Sequence, residues 1–251
     1  MSDAHEPHEP AHVPQPKRQL PEQLPLTVVN PAPPSFDTFL GRGNRVCVGR
    51  LRQLVRAPRG RIWLTGVSGT GKSHLLTATR VALEAAGFCV WRVEASASSL
   101  TTALSVRPTT VDALLLDDAD ALAGDGAREA LLMQLMNEHV RLGQECAFVL
   151  AAQTHPAACA WAVPDLRSRL LAAEQFRLAA LEDVDREALL KSRATAVGLA
   201  LNVEVLTYLL SRLPRDTVNL LAAMERLDLA SWRLQRRLTV PFVRSVLELD
   251  R

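Results

Sequence analysis

The chain has 251 residues, 48% of them apolar and 4% aromatic, with 29 basic against 27 acidic side chains and a net charge of +2. That length and apolar fraction suit one large or two modest globular domains with a core of Leu, Val and Ala. So small a charge gives no argument for nucleic-acid binding by bulk electrostatics, no apolar run approaches the roughly eighteen residues of a bilayer span, and no signal-peptide core opens the chain; the expectation is a soluble, intracellular protein without membrane contact.

In chain order, residues 1–35 hold most of the prolines and little apolar periodicity, which predicts a disordered tail. One island interrupts it, Gln23-Leu24-Pro25-Leu26. It is either a chance cluster or a short linear motif that presents Leu24 and Leu26 to a pocket and the Gln23 amide to its rim. Folded structure is expected to start at Phe36-Asp37-Thr38-Phe39-Leu40-Gly41-Arg42-Gly43-Asn44, followed by a helix from Arg45 to Val55. Strand-length apolar runs then recur at 60–65, 88–93, 113–117, 147–152 and 175–178, with helical spacing over 73–86 and 126–142. Apolar strands alternating with helices predict an α/β fold with a mainly parallel sheet covered on both faces. From Leu181 the strand signal stops. Helices are expected over 183–197, 202–213 and 216–234, with a short fourth from Thr239, as a small all-helical domain. Domain limits are therefore set at 1–35, 36–180 and 181–251.

Gly66-Val67-Ser68-Gly69-Thr70-Gly71-Lys72-Ser73 reads G-x-x-x-x-G-K-S, the phosphate-binding loop, between a predicted strand and a predicted helix. Its glycines let backbone N–H groups curl around an anion, and the helix N-terminus adds its positive dipole end. Lys72 is expected to reach the β- and γ-phosphates, and the Ser73 hydroxyl to ligate Mg²⁺. Leu114-Leu115-Leu116-Asp117-Asp118 ends a strand in two carboxylates at the sheet edge where such folds bind ligands. Asp117 is assigned to the metal and Asp118 to orienting or polarising a water; the plainer alternative is two solvent-facing acids. Arg167-Ser168-Arg169 offers either solvated helix cations or an arginine that reaches a neighbouring molecule's nucleotide. Cys47, Cys89, Cys146 and Cys159 are far apart, and the expectation is small buried thiols in a reducing compartment.

Together the phosphate loop, Leu115-Leu116-Asp117-Asp118, Pro164-Asp165-Leu166-Arg167-Ser168-Arg169-Leu170 and the helical C-terminal region resemble an AAA+ ATPase of the DnaA initiator clade. Phe36 to Asn44 resembles that clade's N-terminal segment, F-x-x-F/V-x-G-x-x-N, which lies near the adenine. The chain stops where DnaA would continue into a helix-turn-helix domain. Its ending at Leu238-Thr239-Val240-Pro241-Phe242-Val243-Arg244-Ser245-Val246-Leu247 resembles the shortened Hda family, and Gln23-Leu24-Pro25-Leu26 resembles that family's clamp-binding peptide.

The resemblance implies a P-loop AAA+ domain with a helical lid, binding ADP or ATP with Mg²⁺. It implies nucleotide contacts from Asn44, Gly66, Ser68, Gly69, Thr70, Gly71, Lys72, Ser73 and His74. Gln23, Leu24 and Leu26 would hold the DNA polymerase III sliding clamp (beta subunit), and Arg169, the arginine of the family's S-R-[FL] motif, would act on ATP bound to DnaA. The implied role is a negative regulator of replication initiation in the bacterial cytoplasm near the nucleoid, touching DNA through the clamp, with self-association open. A helicase-loader-like, nucleic-acid-binding ATPase is the alternative. Two positions depart from the clade. Gln153 stands where strand four's polar sensor is usually Asp or Asn, and Val218 stands where the lid's sensor arginine is expected, with Arg215 about one turn away. The chain's own hydrolysis is accordingly expected to be weak or absent.

Overall fold

The computed structural model describes residues 34–106, 111–141, 146–214 and 216–248. Gln23, Leu24 and Leu26, Arg215 and the helix stop expected at 142–143 lie outside them. Residues 31–251 form one compact unit. The strands are β1 (Gly60–Thr65), β2 (Val90–Val93), β3 (Ala113–Leu116), β4 (Ala147–Ala152) and β5 (Glu174–Arg177). They pair wholly in parallel in the order β2-β3-β4-β1-β5.

All six residues of β4 and all four of β3 are buried. Such a strand, covered on both faces, shows no alternation in its sequence. The period of two reappears in the packing. Trp63, Leu114, Leu116, Phe148 and Leu150 go to one layer with α3 (Ala97–Val106), α4 (Gly126–Arg141) and α5 (Pro164–Leu171). Ile62, Leu64, Leu115, Val149 and Ala151 go to the other, with α1 (Arg45–Arg56) and α2 (Lys72–Ala85).

The strand expected over 88–93 is shorter than its apolar run. Phe88 N–H closes the end of α2 on the Leu83 carbonyl at 3.0 Å, and Cys89 N–H goes to the Asp112 carboxylate at 2.7 Å, so neither donor is free for a ladder. Helix α3 carries no strong sequence signal. Its Ser- and Thr-rich stretch is held by Ser96 Oγ accepting from Ser99 N–H at 3.2 Å and by burial of Leu100 and Ala103. The thiols also divide differently from expectation. Cys47 and Cys146 are buried, and burial pushes both up to about 12, while Cys89 is exposed and Cys159 half-buried.

The lid comprises α6 (Asp183–Ala196), α7 (Val203–Arg212), α8 (Thr217–Leu234) and α9 (Val240–Leu247), around a core of its own that includes Leu190, Leu206, Leu209, Leu220, Leu227 and Val243. Three of its helices start on side-chain caps legible in the sequence: Asn202 accepts from Val205 N–H, Asp216 from Asn219 N–H and Thr239 from Phe242 N–H. Among the described residues no helix is long and apolar enough to cross a membrane.

Candidate nucleotide site

Parallel pairing brings the carboxyl ends of β1, β4 and β3 to one edge, and the register levels Thr65 with Ala152. Gly66 N–H donates to the Ala152 carbonyl at 3.1 Å, so the phosphate loop leaves the sheet beside Gln153. At this edge a cavity of about 490 Å³ opens, lined by Ser68, Gly69, Thr70, Gly71, Lys72, Ser73 and His74 from the loop and α2. Asp118 and Gln153 line it from β3 and β4, Thr38, Phe39 and Leu40 from the lead-in, and Leu181, Leu189, Thr217, Val218 and Leu221 from the lid side. The polar end suits phosphates, and the leucines and Phe39 suit a flat, largely apolar base.

The loop accepts only glycine at three of its positions. A Cβ on Gly66 would collide with the Thr70 hydroxyl, and one on Gly71, at φ +90°, would lie 2.6 Å from Phe39 Cε2. At Gly69, with φ +80°, it would lie 3.0 Å from the Thr217 backbone nitrogen. This cradle, a side-chain-free concavity at the start of a 14-residue helix, fits the phosphates of a nucleotide. Lys72 is buried, and its ammonium donates to the Gly66 carbonyl at 2.6 Å and the Val67 carbonyl at 3.1 Å, at the mouth of the loop. Gly71→Ala is expected to weaken ADP binding about tenfold or more, because the substitution combines a left-handed Cβ penalty of about 1–2 kcal/mol with displacement of Phe39. Titration with a fluorescent ADP analogue reads this directly, and unchanged affinity would contradict the cradle.

The two carboxylates after β3 separate. Asp118 adopts the left-handed region, at φ +49°, and lines the cavity. Asp117 is not among the lining residues. Its Oδ1 accepts from Asp118 N–H at 3.1 Å, and its Oδ2 stands 3.8 Å from the Arg92 guanidinium. Ser73 is exposed on the cavity wall. Among the described residues no group of three or more His, Cys, Asp or Glu side chains is arranged as a metal cage. A divalent ion here would thus draw on one or two protein oxygens and on phosphate, the usual habit of Mg²⁺.

Asn44 has a different placement from the one its resemblance implied. It is buried away from the cavity lining, with Nδ2 donating to the Ala179 carbonyl at 3.1 Å and Oδ1 accepting from Ala179 N–H at 2.8 Å. It fastens the lead-in to the segment between β5 and the lid. His74 does face the cavity; its Nε2 lies 2.9 Å from the Ser35 carbonyl, and its ring packs on Phe39 at 5.6 Å.

Val218 reaches the cavity from the first turn of α8, whose cap Asp216 accepts from both the backbone and side-chain nitrogens of Asn219. Those bonds hold the Asp216 carboxyl below its usual range. Its contribution to the lid is present above the unfolded pKa and lost as pH falls through the lower folded value.

Two acids not singled out by their motifs organise the site. Asp120 Oδ2 accepts from Gln153 N–H at 3.0 Å and Thr154 N–H at 2.9 Å, fixing the end of β4. Glu129, wholly buried, accepts from Gly124 N–H at 2.8 Å, Ala162 N–H at 3.0 Å and Val163 N–H at 2.7 Å. It thereby ties α4 to the first turn of α5. The signal was present: Glu129 falls at i−3 from Leu132 and i−7 from Met136, on the buried face. Helix α5 carries Arg167, exposed, and Arg169, half-buried, and among the described residues Arg169 makes no hydrogen bond or ion pair.

Residues 183–247 match the family described as Hda, lid domain. An uncharacterized protein of Haemophilus influenzae is 29% identical over 232 residues, covering 91% of this chain and 99% of its own length. Among solved structures, domain III of the Thermotoga maritima replication initiation protein DnaA superposes with a TM-score of 0.76 at 18% identity, over 87% of this chain and 97% of its own. AMPPCP-bound DnaA from Aquifex aeolicus superposes with a TM-score of 0.66 at 22% identity, over 82% and 68%. The RuvB Holliday junction branch migration motor of Thermotoga maritima reaches 0.68 at 16% identity, over 86% and 72%. The chain thus joins a lid that matches the Hda lid-domain family to a core folded like domain III of DnaA.

Proposed function

We propose that this protein is a negative regulator of chromosomal replication initiation, one that binds ADP or ATP, docks on the DNA-loaded sliding clamp and stimulates ATP hydrolysis by DnaA. The observation that carries the reading is a division of cations. The lid offers the nucleotide cavity Val218, an apolar side chain, while Arg169 on α5 has no partner in its own chain among the described residues. A chain built to turn over its own nucleotide needs the first cation; a chain that acts on a neighbour's needs the second.

In this reading the loop from Gly66 to Ser73 holds the phosphates, with Lys72 as the cation at its mouth. Ser73 and Asp117 would hold Mg²⁺, which would supply charge neutralisation for the phosphates. Phe39, Leu181, Leu189 and Leu221 enclose the base between core and lid. Bound nucleotide would couple the two, because the loop and the first turn of α8 both line the cavity. Asp118, left-handed at the cavity wall, would orient a water, and Gln153 and Val218 at the sensor positions would keep that chemistry slow. Arg169 would neutralise charge developing on the phosphoryl group transferred in DnaA's site. Binding of AMPPCP by the Aquifex aeolicus DnaA, as its structure is named, supports the nucleotide assignment.

Docking is assigned to Gln23, Leu24 and Leu26. Immobilised clamp should capture the wild-type protein and fail to capture the Gln23→Ala/Leu24→Ala variant. Equal capture of both would remove the clamp from the proposal.

A further inference from the structure

The end of α8 carries a surface that the nucleotide site does not use. Leu220, Ala223, Met224 and Leu227 turn one face of this helix into the lid core. Helical spacing puts Leu229, Trp232 and Arg233 on the outer face. All three are exposed, Trp232 at 49%.

The helix then stops in a left-handed turn at Gln235, φ +50°. The turn is built, because Arg236 N–H donates to the Ser231 carbonyl at 3.2 Å and Ser231 Oγ donates to the Arg236 carbonyl at 2.7 Å. Gln235 Nε2 adds a bond to the Trp232 carbonyl at 2.8 Å. Every residue from Trp232 to Arg237 is exposed on this ordered knuckle. Its three guanidiniums, on Arg233, Arg236 and Arg237, have no carboxylate partner among the described residues. The sequence from Leu229 to Leu247 contains four arginines and no acid.

One cation in the last turn of a helix is accounted for by the macrodipole. Two more beyond the helix end, beside a half-exposed tryptophan, are not. Unpaired guanidiniums call for a polyanion, and an exposed indole calls for a flat partner with a π face. Duplex nucleic acid hides its base faces in the stack, and an acidic peptide offers the indole nothing to stack on. A single strand offers both phosphates and free bases.

We propose that the Trp232–Arg237 knuckle binds single-stranded nucleic acid, with Arg233, Arg236 and Arg237 on the phosphates and a base on Trp232. The near-neutral net charge of the chain confines this contact to the local patch, and it is independent of the phosphate loop and of Arg169.

The test is fluorescence anisotropy of a labelled thymidylate oligonucleotide with the full-length protein as salt is raised. Three phosphate contacts predict a slope of log K against log salt near −2, at about −0.7 each. Arg236→Ala/Arg237→Ala should lower the affinity and bring the slope to about −0.7, while the double lysine variant at the same positions should keep the slope. Trp232→Ala should weaken binding about 5–150-fold with the slope unchanged. Because all these side chains are exposed, unchanged thermal unfolding should accompany each variant. Absence of binding, or binding indifferent to the arginine pair, would overturn the proposal. So would preference for duplex, or displacement of the oligonucleotide by a glutamate-rich peptide at equal charge concentration, which would make the knuckle a protein-docking surface.

Discussion

Replacing Arg169 with alanine is expected to reduce the stimulated hydrolysis of DnaA-bound ATP by about 10³-fold or more, the low end of what an arginine delivered in trans contributes. The expected size follows from where the charge acts. In a site shielded from water, a guanidinium fixed beside the transferred phosphoryl meets charge that grows in the transition state, so its loss is felt in the rate rather than in complex formation. Clamp capture and nucleotide affinity should therefore be unchanged in Arg169→Ala. Arg169→Lys should recover little, because an ammonium cannot reproduce the planar fork. Arg167, exposed on the same helix, serves as the internal control, and Arg167→Ala should leave the stimulated rate within about twofold of wild type, well below a 1 kcal/mol effect. A loss spread equally over both arginines would point to general electrostatic docking instead.

The second large effect is structural. Glu129→Ala is expected to destabilise the protein by about 3–5 kcal/mol, since it takes a buried carboxylate away from three partly buried N–H donors, each worth up to about 1–3 kcal/mol before water partly relieves it. For a folded unit of this size that corresponds to a fall of about 6–20 °C in the unfolding midpoint, measurable by circular dichroism. Glu129→Gln should cost less, about 1–3 kcal/mol. Its single carbonyl oxygen can still receive Gly124 and Ala162 but turns an N–H₂ group toward Val163. The amide variant has a further use. Val163 caps α5, the helix that carries Arg169, so loosening that cap should lower the stimulated rate at temperatures where Glu129→Gln is fully folded. A shift below about 2 °C for the alanine variant would mean that water replaces the carboxylate and that the start of α5 is set by other contacts.

How much of this was legible before the structure depends on the range over which each feature is determined. Strands β1 and β4 coincide with their apolar runs because Gly60 and Gly66 bracket one, and because covered parallel strands read as uninterrupted hydrophobic residues. The lid helices are legible for a local reason too, as Asn202, Asp216 and Thr239 each cap the helix that follows. The phosphate loop is a contiguous motif whose glycines are each required by a close approach, to Thr70, Phe39 or Thr217.

What sequence reasoning misses is tertiary. Nothing near Phe88 and Cys89 indicates that their N–H groups are taken by Leu83 and Asp112, so β2 looks two residues longer than it is. Helix α3 has weak propensity and exists because Leu100 and Ala103 find the core. Asn44 matches a motif associated with nucleotide, yet its two hydrogen bonds to Ala179 make it a fastener. Helical spacing puts Glu129 on the buried face, but only the fold brings it and Asp120 the backbone donors that explain them. Val218 lines the cavity from the first turn of α8.

The central claim is that the nucleotide chemistry of consequence occurs in DnaA rather than in this chain. Its most direct test is a reconstituted measurement of hydrolysis by ATP-loaded DnaA with DNA-loaded clamp, with and without this protein. The account predicts that added wild-type protein accelerates conversion of DnaA-bound ATP to ADP, that the acceleration requires the clamp, and that it is lost with Arg169→Ala. No acceleration, or acceleration that Arg169→Ala leaves intact, would contradict it.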